Sequence, residues 1–245
     1  MTSSLAFCAI GILSAAGASL LVAAPARAAS FTVENITGTW TNVQGTVSFS
    51  GTGTNQVRWG NSATTGESTS GFNFDSVTIA APLTSGTNFV LGELTHLNFP
   101  IFNPSSGADF ELAMDVNGTA IAFDYSFAIE ETTNGGTCPS FQISGTPCDD
   151  RITFSTDAAQ ALFSDGGIDY TLELLGFSAT ADGLSPVSSF ITQENQASSA
   201  FLVARFAASE PIDAGDDPAS TPEPASVLAL LALSAAATKR RRRTI

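Results

Sequence analysis

Phe110-Glu111-Leu112-Ala113-Met114-Asp115-Val116-Asn117-Gly118-Thr119-Ala120-Ile121-Ala122-Phe123-Asp124-Tyr125 consists of two alternating runs hinged on an Asn-Gly pair. Asn-Gly favours a type I′ turn because both central residues take positive φ, and that turn matches the twist of a two-residue β-hairpin. The turn fixes the register, so Phe110 falls opposite Tyr125, Leu112 opposite Phe123 and Met114 opposite Ile121. These six apolar side chains share one face, as the two-residue period of a strand requires. The hairpin therefore predicts an antiparallel sheet with one buried side. The other side sets Glu111 opposite Asp124, with Asp109 and Asp115 along the same strand. Like charges across a ladder repel, so this face is either solvated or holds a counter-ion. Solvation is the expected state, and Glu111 and Asp124 are the calcium candidates if an ion is held.

Outward from the hairpin the same period recurs. Strands are expected at 39–49, Gln56–Trp59, 72–79, 88–97, 110–116, Thr119–Glu130, 151–154, 169–177 and 201–206, separated by Gly, Ser, Thr and Asn clusters. One short amphipathic helical turn is expected at 156–164, where Ala159, Leu162 and Phe163 fall at helical spacing. Many short strands without helical crossovers predict an all-β, antiparallel β-sandwich or jelly-roll-like domain. A body of roughly 190 residues suits a single domain.

The two ends read differently from the body. Residues 1–22 are apolar and small, Pro25 breaks any helix, and Ala26-Arg27-Ala28 supplies an A-x-A cleavage site. Residues 1–28 are therefore expected to be a signal peptide. At the other end stand Thr221-Pro222-Glu223-Pro224-Ala225, an apolar run over 227–237, Lys239 and the arginines Arg240, Arg241, Arg242 and Arg243. That run is shorter than the roughly twenty residues a bilayer needs, so it suits transient membrane insertion, with the arginines held inside. This order resembles the PEP-CTERM sorting signal. The resemblance implies a C-terminal sorting helix, Pro222, Glu223 and Pro224 as the signal itself, and processing by an exosortase-type enzyme in the inner membrane of a Gram-negative bacterium. The domain map expected is 1–28 signal peptide, 29–209 sandwich, 210–220 acidic linker and 221–245 sorting tail.

Without its ends the chain keeps Arg58, Arg151 and Arg205 as its only basic residues against twenty-three acids, a formal charge near −20. Such a surface repels nucleic acid and anionic membrane. Cys8 leaves with the signal peptide, and Cys138 and Cys148 in an oxidising compartment are expected to pair. A metal site on those two thiols would need a histidine nearby.

His96, the single histidine, lies in Leu91-Gly92-Glu93-Leu94-Thr95-His96-Leu97-Asn98-Phe99-Pro100-Ile101. No nucleophile motif accompanies it, so a hydrogen-bonded structural role is expected. Asn98 is placed to close an Asx-turn ahead of Pro100, and Thr95 and His96 to tie the following loop to the sheet. Trp40 and Trp59 are expected in the core rather than as sugar-stacking platforms, and Arg58 as an ion-pair or capping residue. Thr95-His96-Leu97-Asn98, with Gly38-Thr39-Trp40, Arg58-Trp59-Gly60 and Cys148-Asp149-Asp150-Arg151-Ile152-Thr153-Phe154, resembles the THxN family of PEP-CTERM proteins, related to choice-of-anchor K domains. The resemblance implies a secreted domain with varied surface anchors and no established enzymatic activity.

The function expected is that of an exported, non-catalytic protein of the cell surface, outer envelope or extracellular matrix, with exopolysaccharide as a partner and no cofactor. The alternative is a calcium-assisted carbohydrate-binding module. A hydrolase with paired carboxylates is the third reading, because one sequence does not reveal acid spacing across strands.

Overall fold

The computed structural model describes residues 28–66, 68–155 and 163–209. In chain order the strands are β1 (Ser30–Phe31), β2 (Val33–Gln44), β3 (Phe49–Ser50), β4 (Gln56–Trp59), β5 (Asn61–Ser62), β6 (Ser70–Ser76), β7 (Leu83–Thr84) and β8 (Phe89–Asn98). They continue with β9 (Ile101–Phe102), β10 (Gly107–Val116), β11 (Thr119–Glu130), β12 (Asp150–Ser155), β13 (Phe163–Asp165), β14 (Ile168–Ser178), β15 (Phe190–Thr192) and β16 (Gln196–Ala208). No helix occurs among the described residues.

Two antiparallel sheets carry the fold. A five-stranded sheet runs β15-β12-β11-β10-β2 and a seven-stranded sheet runs β13-β14-β16-β8-β6-β4-β3, with β1-β7 and β5-β9 as short accessory pairs. The hairpin has the register its turn dictates: Phe110 faces Tyr125, Leu112 faces Phe123, Met114 faces Ile121 and Glu111 faces Asp124. Asn117 and Gly118 both take positive φ, at 50° and 77°. Along β11 the side chains of Phe123, Tyr125, Phe127 and Ile129 are buried and the residues between them exposed or, at Ser126, half-buried.

Aromatic rings join the two sheets. Trp40 of β2 stacks on Phe72 of β6 at 4.9 Å, Phe110 of β10 meets Phe74 of β6 edge-on at 5.0 Å, and Phe127 of β11 lies 6.3 Å from Phe177 of β14. Such pairs add about 0.5–1.5 kcal/mol beyond their buried area. Gly38 allows this closeness, because a Cβ there would lie 2.3 Å from Phe74 Cδ1 and 2.4 Å from Phe110 Cζ. Trp40 and Trp59 are core residues, 0% and 1% exposed.

Some boundaries differ from the pattern reading. The expected strand 39–49 is two elements in different sheets, because Gly45 turns the chain with φ +80° and Phe49 restarts it beside β4. Phe163 and Ser164, expected at the end of a helical turn, pair with Tyr170 and Asp169 in a β-ladder. Residues 156–162 of that turn lie outside the described residues, as do 1–27 and 210–245. The signal peptide apart from Ala28, the whole acidic linker and the sorting tail fall in those two terminal stretches.

Candidate functional site

The interior is apolar for most of its length and polar at one end. Phe89, at the start of β8, joins a ring cluster through Phe206, which also contacts Phe31 and Phe163. At the other end of β8 the inward positions pass from Leu94 to His96 and Asn98, both wholly buried. Facing them from the five-stranded sheet are Asp150 and Thr192, cross-strand partners on β12 and β15, also wholly buried. Glu131 follows directly after β11. Since Glu130 pairs with Arg151, the next ladder position sets Glu131 beside Asp150 on the inner side.

Thr192 links the two sheets. His96 Nδ1 lies 2.9 Å from its hydroxyl, and Asn98 Nδ2 donates to its carbonyl at 3.3 Å. The histidine thus reaches the opposite sheet rather than the following loop. Its ring lies 5.9 Å from Trp59 and 5.1 Å from Phe72, and burial pulls its pKa down to about 3, so it is neutral. Asn98 closes no Asx-turn, because its Oδ1 has no hydrogen-bond partner. The turn after β8 is held instead by Ser70, whose hydroxyl accepts from Phe99 N–H and donates to Phe99 O. Thr95 points away from the interior and shares a 2.8 Å hydrogen bond with Ser199.

The acids divide by environment. Asp150 Oδ1 accepts from the N–H of Thr132 at 2.8 Å and from its hydroxyl at 3.1 Å, and the Asp150 carboxyl also meets the Glu131 carboxyl and the Asn98 amide in side-chain hydrogen bonds. Burial raises the pKa of both carboxyls, and the neighbouring carboxylates raise Glu131 further. Glu194, held by Asn134 Nδ2 at 3.2 Å, is pushed up to about 7 by burial and by the charge of Asp150. Asp149 behaves oppositely. Burial would raise it, but Ser144 and the N–H groups of Ile143 and Ser144 hold its carboxyl below the usual range.

The Cys138–Cys148 disulfide is formed, with Cα atoms 5.3 Å apart. It closes the connection from β11 to β12 directly beside this polar end, where the Thr132 hydroxyl also reaches the Cys148 carbonyl at 3.1 Å. Sequence reasoning missed Glu131, Asp150, Thr192 and Glu194. Their only advance signal was the Cys148-Asp149-Asp150 stretch, which gave no hint of its partners.

The hairpin's acidic face is separate. Glu111 and Asp124 are exposed across the ladder. Amide and hydroxyl donors answer the flanking acids. Asn42 Nδ2, Gln44 Nε2 and Ser126 Oγ donate to Asp109 at 3.0, 2.7 and 2.7 Å, and Asn35 Nδ2 donates to Asp115 at 2.6 Å. Among the described residues, no three His, Cys, Asp or Glu side chains are placed to hold a metal together. Arg58 caps carbonyls, donating to Val57 O at 2.8 Å and Phe72 O at 3.0 Å. A recess of about 460 Å³ between Thr37, Gly38, Thr39, Asn55, Phe74, Asp75 and Ser76 holds one carboxylate and no histidine or cysteine.

The fold and its interior define a disulfide-bonded, all-β sandwich-like domain with its two sheets stapled at one polar end. Beyond that domain, residues 220–243 match the PEP-CTERM protein-sorting motif. The motif marks an exported protein recognised by an exosortase-type processing enzyme and sorted to the cell surface in Gram-negative bacteria. No curated protein matches the chain.

Proposed function

We propose that the chain is a THxN-type PEP-CTERM surface protein with a non-catalytic role in the outer envelope or an exopolysaccharide-associated matrix. The observation that carries this reading is the sorting motif at 220–243. The interior supports it. The single histidine is neutral, wholly buried and committed to Thr192, which leaves it unable to serve as a base for a substrate in solvent. Serine, threonine and asparagine side chains along the exposed turns suit a hydrated polysaccharide environment.

The test has two arms. Replacing Pro222, Glu223 and Pro224 with alanine should leave the protein in the membrane with its arginines attached, whereas the normal surface product should lack them by mass spectrometry. Recovery of a peptide ending at Ile245 from the released wild-type protein would overturn the sorting reading. The purified protein should then be screened against surface polysaccharides, with turnover of the glycan scored alongside binding. Cleavage would refute the non-catalytic role.

The carbohydrate-binding alternative has lost its two tryptophans to the core. It retains Phe49 and Phe102, 43% and 63% exposed, as aromatic surfaces for a sugar ring.

A further inference from the structure

On a domain with a formal charge near −20, none of residues 46–56, 60–66 and 99–107 is acidic, basic or a histidine. Strand pairing brings these three segments to one corner. β3 is laddered to β4 through Phe49 and Trp59, and β5 to β9 through Asn61 and Phe102. Between the two ladders the Gly60 N–H donates to Ser48 O at 2.9 Å, and the Ala63 N–H donates to Pro100 O at 2.9 Å. Gly60, with φ +76°, permits this approach, because a Cβ there would lie 2.6 Å from Ile101 Cδ1. The charges that adjoin the corner are occupied. Arg58 donates to the carbonyls of Val57 and Phe72, and Asp109 accepts from Asn42, Gln44 and Ser126. Glu67 lies outside the described residues.

Apolar side chains stand out of this uncharged surface. Val47, Phe49 and Phe102 are 97%, 43% and 63% exposed. Phe102 and Asn61 are direct cross-strand partners, so the ring and the amide lie side by side on one face. The Ser48 hydroxyl donates to Asn61 Oδ1 at 3.1 Å, which orients the amide and leaves its Nδ2 as a donor to solvent. Asn103, exposed directly after Phe102, adds a second amide with no partner among the described residues. An apolar aromatic face with a few oriented polar groups beside it is the composition of a small-ligand surface. A sugar ring answers both parts, with its C–H face on the aromatic ring and its edge hydroxyls on the amides.

We propose that Phe102, Asn61 and Phe49 form a contact surface for a neutral polysaccharide, with sugar faces on the two rings and a sugar hydroxyl accepting from Asn61 Nδ2. The inference rests on the polysaccharide association proposed above and gives it a place on the domain. Charge selects the ligand. A uronate or sulfate polymer is repelled by a domain near −20 whose adjoining basic group, Arg58, is turned to backbone carbonyls. A neutral chain meets no charge here that it would have to desolvate. A second copy of the chain is the poorer occupant. A stable interface buries roughly 800 Å² on each partner, more than three exposed apolar side chains supply, and two domains of this charge repel each other.

The test is affinity electrophoresis of the whole purified protein through gels that contain polysaccharide harvested from the producing cells. The polysaccharide is divided by anion exchange into a neutral and an acidic fraction, and a chelator is present throughout. The neutral fraction should retard the wild type. Phe102→Ala and Asn61→Ala should each raise the apparent Kd by about tenfold, Phe49→Ala should raise it as well, and Phe102→Tyr should leave it unchanged. Leu184→Ala, which removes an exposed apolar side chain outside the three segments, should bind as the wild type does. All these side chains are exposed, so the variants should melt with the wild type. Retardation that survives both Phe102→Ala and Asn61→Ala would overturn the corner and leave the polysaccharide association standing, as would retardation by the acidic fraction alone. Binding to neither fraction would remove both. Sedimentation of a dimer that Phe102→Ala dissociates would assign the corner to a second copy and overturn the proposal.

Discussion

His96 Nδ1 and Thr192 Oγ1, 2.9 Å apart and both without solvent contact, form a side-chain hydrogen bond between the seven-stranded and the five-stranded sheet. The two residues are separated by 96 positions in the chain. The bond sits where the apolar filling of the sandwich gives way to polar side chains, with Trp59 and Phe72 packed beside the histidine ring, so it adds a polar tie between the sheets to the aromatic packing next to it.

Removing the hydroxyl tests its weight. Thr192→Val keeps the shape and leaves His96 Nδ1 unpaired, at an expected loss of about 1–3 kcal/mol. Thr192→Ser keeps the hydroxyl and loses a methyl group, at about 1 kcal/mol. Urea midpoints should therefore rank wild type, then serine, then valine. A valine variant as stable as the serine variant would show that the bond contributes nothing.

The histidine also predicts a pH dependence. Unfolded, it takes a proton below about 6.5; folded, burial holds it neutral down to about 3. Protons therefore favour the unfolded chain in that window, and stability falls as pH drops from about 6.5 towards 3, by up to about 1.4 kcal/mol per unit. The buried acids have raised pKa values and act in the opposite sense, losing stability as pH rises above the ordinary carboxylate range. Subtracting a His96→Phe variant isolates the histidine. The difference in unfolding free energy should shrink between pH 7 and pH 4; a difference independent of pH would refute the assignment.

Gly38 predicts a steric effect. A methyl group there would meet two buried rings, Phe74 and Phe110. Gly38→Ala should cost about 1–3 kcal/mol despite its smaller loss of backbone entropy. A thermal melt that matches wild type would show that the rings can move apart.

Reduction of Cys138–Cys148 should cost about 2–3 kcal/mol by loop closure. The loss should be largest near Asp150, since Thr132 and Cys148 hold one another across the base of that loop. Hydrogen exchange of the reduced protein should accelerate first at the Thr132 amide, which donates to Asp150. Uniform acceleration across the hairpin instead would contradict a local role.

The sequence was most readable where one local feature determines register. Asn117-Gly118 fixed every partner in β10 and β11, and Gln56–Trp59 stood out because turn residues bound it on both sides. Prediction failed where neighbours come from sheet order. Glu131, Asp150 and Thr192 lie on three strands or strand ends brought together by the order β15-β12-β11, which no spacing reveals. β15 is three residues long, too short to show a period, yet it carries the partner of both motif residues. The place of His96 at the end of a strand was legible from the alternation that runs up to Pro100. Its partner was not, because the contact exists only once two sheets close.

The last described strand, β16, lies inside the seven-stranded sheet, laddered to β14 on one side and β8 on the other. Tension entering the domain from beyond Ser209 therefore meets two rows of hydrogen bonds at once, instead of peeling an edge strand one bond at a time. A domain held by its C-terminal side would resist pulling through its most interior strand.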